Sequence, residues 1–72
     1  MNKELNELIF YGTLMSMKNM YFVKVIQKYF NCFAVEEAED DEFIIYYNDS
    51  RTQRFSKHDL ATIFSKDKSN GR

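Results

Sequence analysis

Proline and tryptophan are both missing from this chain of 72 residues. Without proline, no helix is halted by an absent amide hydrogen, so helix ends must be set by side chains, glycine and packing. The two glycines, Gly12 and Gly71, provide no glycine-rich loop to cradle a phosphate. The single cysteine, Cys32, cannot close an internal disulfide, and with His58 the only histidine there is no set of ligands for structural zinc. No metal and no cofactor is expected. The longest apolar run, Phe43–Tyr47, has five residues. A membrane span needs about 20. The first residues, Met1-Asn-Lys-Glu with Glu7 close behind, lack a signal-peptide pattern. The expected location is therefore cytoplasmic, with no membrane partner.

What is present argues for folding. Hydrophobic residues make up 44% of the chain and aromatics 17%, too many for a disordered tail even with 29% charged residues. A chain this short buries only roughly 60% of its unfolded surface, so one small domain over residues 1–66 is expected, with a disordered tail at 67–72. Leu5, Leu8 and Ile9 stand at one-face helical spacing and predict a short first helix, with Gly12 as its stop. One long helix running through Gly12 is the alternative. Between Leu14 and Phe30 the set Phe22, Val25, Ile26, Tyr29 and Phe30 repeats with helical period, opposite Lys24, Gln27 and Asn31.

From Cys32 the pattern changes. Phe33 and Val35 alternate with Ala34 and Glu36, an acidic stretch follows, and Phe43–Tyr47 is rich in β-branched and aromatic residues. Asn48-Asp-Ser50 reads as a turn, and Arg51–Phe55 as a returning strand. Residues 32–55 thus predict a three-stranded meander turning near Asp40 and Asp49. Ser56 with Asp59 three residues on is a capping pattern before Leu60, Ile63 and Phe64, so a last helix ending near Lys66 is expected. The fold class is α+β in the order ααβββα. Its expected core is Leu5, Leu8, Ile9, Phe22, Val25, Ile26, Tyr29, Phe33, Val35, Ile45, Phe55, Leu60, Ile63 and Phe64. Phe10, Tyr11, Tyr21, Phe30, Tyr46 and Tyr47 are more aromatics than so small an interior holds, and some should lie at the surface or an interface.

Ten lysines and arginines stand against eleven aspartates and glutamates, a formal net charge of −1, which excludes a generally basic nucleic-acid binder. The balance conceals segregation. Glu36, Glu37, Glu39, Asp40, Asp41, Glu42 and Asp49 fill residues 36–50 without one base, while Arg51, Arg54, Lys57, Lys66, Lys68 and Arg72 outnumber Asp59 and Asp67 after it. The acidic run reads as a solvated hairpin tip or as a finger aimed at a basic partner surface. It lacks the alternating ligands and central glycine of a calcium loop. Arg51, Arg54 and Lys57 beside Tyr46 and Tyr47 are the ingredients of a single-strand nucleic-acid platform.

Catalytic candidates are weak. Ser56, His58 and Asp59 crowd into one helical first turn, where they fit a cap better than a triad, and Cys32 among apolar neighbours reads as a small hydrophobe. No catalytic residue is expected. The reading is a small non-enzymatic interaction protein, of the kind encoded by bacteria or phages as modulators or inhibitors. It would bind a larger protein, such as a nucleic-acid enzyme, through Glu36, Glu37, Glu39, Asp40, Asp41, Glu42, Tyr46 and Tyr47. The alternative is a nucleic-acid-binding regulator using Arg51, Arg54 and Lys57. A homodimer built on surplus aromatics of the first two helices is compatible with either.

Overall fold

The computed structural model describes residues 3–69. Helix α1 covers Lys3–Ser16, α2 Asn19–Tyr29 and α3 Lys57–Ser69, with strands β1 Cys32–Ala38, β2 Glu42–Tyr47 and β3 Thr52–Ser56 between α2 and α3. The architecture is α+β, ααβββα, with the antiparallel sheet in the order β1-β2-β3. The expected meander and both of its turns are present. α3 continues past Lys66 to Ser69; residues 70–72 of the expected tail lie outside the described residues.

The first helix corrects the expectation at Gly12. The glycine sits inside α1, and the chain breaks instead at Met17 and Lys18. Lys18 is extended, with φ −64° and ψ 147°, and its carbonyl accepts the amides of Tyr21 and Phe22 at 3.0 Å each to start α2. Lys57 fixes the break from across the fold. Its ammonium donates to the Met17 carbonyl at 2.5 Å, satisfying an oxygen that the end of α1 leaves open and placing a cation at the negative end of the helix.

Strand alternation sorts the sheet into two faces. Phe43, Ile45 and Tyr47 of β2 point inward, and with Leu14, Phe22, Ile26, Leu60, Ala61 and Phe64 from the three helices they form the core. Rings dominate it. Phe22 lies 5.3 Å from Phe43 and 6.1 Å from Phe64 between centroids, while Phe30 reaches Tyr47, Phe55 and Phe64 at 5.9 to 6.2 Å, within the range of favourable aromatic pairs.

Several expected core residues are outside. Leu5, Leu8, Ile9, Tyr29, Phe33 and Ile63 are all exposed, and Leu14, Phe43, Tyr47 and Ala61 take interior places instead. For α1 the reason is a choice between two stripes. Leu5, Leu8 and Ile9 share one side, whereas Phe10, Tyr11, Leu14 and Met15 share another and pack on the core. The second stripe carries two rings, and rings bury the most area per residue. Phe33 is turned by a register irregularity in β1 between Cys32 and Ala34. Its ring lies 6.2 Å from that of Tyr46, on the outer side of the sheet.

Candidate protein-binding surface

Both hairpin turns place non-glycine residues in the left-handed region. Asp40 and Asp41, at φ 59° and 56°, carry the turn between β1 and β2. Aspartate tolerates that conformation better than most residues because its short polar side chain can bond locally. The turn between β2 and β3 closes with the Ser50 amide donating to the Tyr47 carbonyl at 3.2 Å and Ser50 at φ 76°. That is the three-residue hairpin with a left-handed third position.

The first turn gathers carboxylates. Glu37 and Asp41 are drawn onto one amide: Asn19, at the start of α2, donates from Nδ2 to Glu37 Oε2 at 2.8 Å and to Asp41 Oδ1 at 3.0 Å. This ties the acidic hairpin to the helix layer and gives it a fixed direction. Glu36 accepts the Tyr46 hydroxyl at 2.5 Å. That bond, with partial burial and the Glu36 charge, raises the Tyr46 phenol above its ordinary range against the pull of Arg54. Among the described residues, ion pairs reach only two of the seven acids between 36 and 49: Glu42 meets Arg54 at 2.7 Å and Asp49 meets Arg51 at 2.8 Å. The Asp49 carboxyl is held below its usual range, first by the Arg51 backbone amide and then by its guanidinium. Glu36, Glu37, Glu39, Asp40 and Asp41 therefore present charge that no described cation neutralises by direct pairing.

The outer face of the sheet continues from this tip. Cross-strand partners Glu36 and Ile44, then Ala34 and Tyr46, run toward Phe33, with Arg54 and Thr52 beside them on β3. None of these belongs to the core or packs against it. Phe33, 69% exposed, is the most open large apolar side chain among the described residues. The surface is thus acidic at one end and aromatic at the other.

Two expected site residues are corrected. Tyr47 faces the core and is only 8% exposed, with its hydroxyl donating to Gln53 Oε1 at 2.6 Å; odd-numbered positions of β2 point inward, so it cannot share a surface with Tyr46. Lys57 is 6% exposed, its ammonium on the Met17 carbonyl and 5.4 Å from the Phe22 ring centroid. It is a structural cation, absent from any phosphate-binding surface. The basic set is also divided. Arg51 lies over the Tyr47 ring at 4.7 Å and pairs with Asp49, while Arg54 is on the opposite, outer face and pairs with Glu42. Phe33, expected in the core, is instead an exposed ring on this face, turned outward at the β1 irregularity.

The chemistry-bearing side chains near α3 are engaged structurally. Ser56 Oγ accepts the Asp59 amide at 3.0 Å, as a helix cap should. His58 Nδ1 and the Tyr11 hydroxyl lie 2.5 Å apart, joining α3 to α1. Cys32 is a half-buried free thiol against the core. No group of three His, Cys, Asp or Glu among the described residues is placed to hold a metal ion, and no helix among them is long and apolar enough to cross a membrane. The chain matches no protein-family model, no curated protein and no solved structure.

Proposed function

We propose that the chain is a non-enzymatic interaction module that docks on a basic surface of a larger protein, using the acidic hairpin and the outer face of the sheet. The observation that supports this most is the continuity of that face. The acidic tip at Glu39, Asp40 and Asp41 adjoins Glu36, Ile44, Tyr46 and the open Phe33 ring of the outer face, while Glu37 on the inner side helps tie the tip to Asn19. Charge of one sign speeds encounter with a basic partner, and an aromatic anchor beside it supplies area that can be dried on contact. A module of this kind modulates its partner by covering a cationic surface that would otherwise meet phosphates, as a bacterial or phage-encoded inhibitor of a nucleic-acid enzyme would.

The test uses two variants. One combines Glu37→Gln, Glu39→Gln, Asp40→Asn and Asp41→Asn, since asparagine keeps the tolerance for left-handed backbone at the turn. The other is Phe33→Ser. Nuclease-treated affinity capture from the source cells identifies the partner, and binding is then measured with purified components. Each variant should weaken binding by about tenfold or more, as loss of an interface anchor does, while far-ultraviolet circular dichroism stays unchanged. A partner bound equally by wild type and both variants overturns the reading. Recovery that vanishes with nuclease overturns it too, in favour of the nucleic-acid alternative.

A further inference from the structure

Helix α1 carries a second apolar stripe that its own fold leaves exposed. Its outward positions 5, 6, 8, 9, 12, 13 and 16 hold Leu, Asn, Leu, Ile, Gly, Thr and Ser, with no charge among them and with Asn6 at the edge of the stripe. Leu5, Leu8 and Ile9 are 50%, 66% and 59% exposed. The two hydroxyls need nothing from outside: Thr13 Oγ1 donates to the Ile9 carbonyl at 2.9 Å and Ser16 Oγ to the Thr13 carbonyl at 3.1 Å. Covering this stripe would leave neither side-chain donor unsatisfied. Gly12 has no reason within its own chain, because a Cβ built there meets nothing within 4 Å, and glycine is a poor residue in mid-helix.

We infer that this stripe is the seam of a homodimer in which α1 lies antiparallel to α1 of a second copy. The stripe is complementary to itself. About a two-fold axis passing between residues 10 and 11, Leu5 of one copy meets Ser16 of the other, Leu8 meets Thr13, and Ile9 meets Gly12. Each large apolar side chain falls on a small one, as interdigitated helix packing requires. A parallel pairing would set leucine on leucine at one end and leave small residues apart at the other. No like charges meet along the seam. A groove of about 530 Å³ between α1 and α3, lined by Glu7, Leu8, Tyr11, Thr62 and Ser65, extends it on one side.

The area sets the strength. α1 has 14 residues. At 1.5 Å rise and about 10–12 Å diameter, the outward half of such a helix offers on the order of 350 Å². A standard interface takes about 800 Å² from each partner. The dimer therefore belongs to the weak, concentration-dependent class. It uses a surface other than the outer face of the sheet, so either reading can fail while the other stands.

Sedimentation equilibrium from about 1 µM to about 1 mM spans the affinities of such an interface. Wild type should pass from monomer to dimer mass within that range. Gly12→Leu fills the seat of Ile9, and its Cβ stands in open space on its own chain; it should raise the concentration of half-association by about tenfold or more and leave circular dichroism unchanged. Leu8→Gln with Ile9→Gln should remain monomeric throughout. In a Cys32→Ser background, a Leu8→Cys chain should cross-link to a Thr13→Cys chain faster than to itself. A wild type that stays monomeric over the whole range overturns the dimer. Undiminished association of Gly12→Leu overturns this seam, and faster self-linking of Leu8→Cys overturns its antiparallel order.

Discussion

α2 and α1 meet solvent differently, although both are short helices packed on one core: the outward side of α2 carries lysines and that of α1 carries no charge. α2 buries Phe22 and Ile26 fully and sets Lys24, Gln27 and Lys28 outside among the exposed Met20, Tyr21 and Tyr29. α1 buries Leu14 and half-buries Phe10, Tyr11 and Met15, yet its outward side carries Leu5, Leu8 and Ile9 and no charge. Glu7 is the one charged residue between Leu5 and Ser16, and it lines the groove toward α3. A surface helix holds its place by the difference between its faces. α2 has that difference in its sequence, while α1 relies on neighbours to choose between two apolar stripes. What α2 buries therefore serves the monomer. What α1 exposes is available for a second role.

The largest expected effect separates these two kinds of apolar residue. Phe22 is fully buried and touches the rings of Phe43 and Phe64, so Phe22→Ala should cost about 3–5 kcal/mol in unfolding free energy. Leu8→Gln with Ile9→Gln, on the exposed stripe, should change the monomer by only about 0.5 kcal/mol. Urea denaturation at low protein concentration measures both. If the α1 pair proved as costly as Phe22→Ala, the outward stripe would belong to the fold, and the contrast between the helices would collapse.

The same contrast marks what was legible in the sequence. α2, the meander and the Ser56 cap could be read, because each has a single periodic pattern or a local turn chemistry that excludes alternatives. The side of α1 that faces the core could not. Two stripes at helical spacing compete there, and ring size in a core assembled from distant residues decides between them. The inward sides of Val35, Ile45 and Phe55 could be read, but Tyr47 was expected outside although it shares the face of Ile45, and Phe33 leaves the face of Val35 only through the β1 irregularity. The acidic tip was plain from composition, but its tether to Asn19 joins residues 18 and 22 positions apart. Lys57 looked like a surface cation because nothing local records that its ammonium reaches Met17.

Lys57 offers a sharper test of where α1 ends and α2 begins. Its ammonium holds the Met17 carbonyl at the joint between the two helices and lies over Phe22 on α2. Lys57→Met keeps most of the side-chain volume but leaves that carbonyl without its charged donor, at an expected cost of about 1–3 kcal/mol. The amide of residue 57 still donates to Asp41 at 2.7 Å, so the acidic turn should keep its place. Amide exchange should speed up first at Ser16, Met17 and the first turn of α2. A variant as stable as wild type would mean that water substitutes fully for the lysine, and that packing of Leu14 and Phe22 alone sets the break.

The smallest expected effect bears most directly on why the helices differ. Gly12 lies within α1 with open space where a Cβ would be. Gly12→Ala restricts the unfolded chain, strengthens helix propensity and disturbs no contact in its own molecule. It should raise monomer stability by about 1 kcal/mol, which for a domain of this size lifts the melting temperature by roughly 4–8 °C. No substitution at Phe22 or Ile26 of α2 is expected to stabilise, because every atom there is already packed. A gain at Gly12, measured where the chain is monomeric, would identify the glycine as a residue that the isolated fold does not need. A loss would show that α1 requires the glycine for its own geometry, and the exposed stripe would then have to be explained within the monomer.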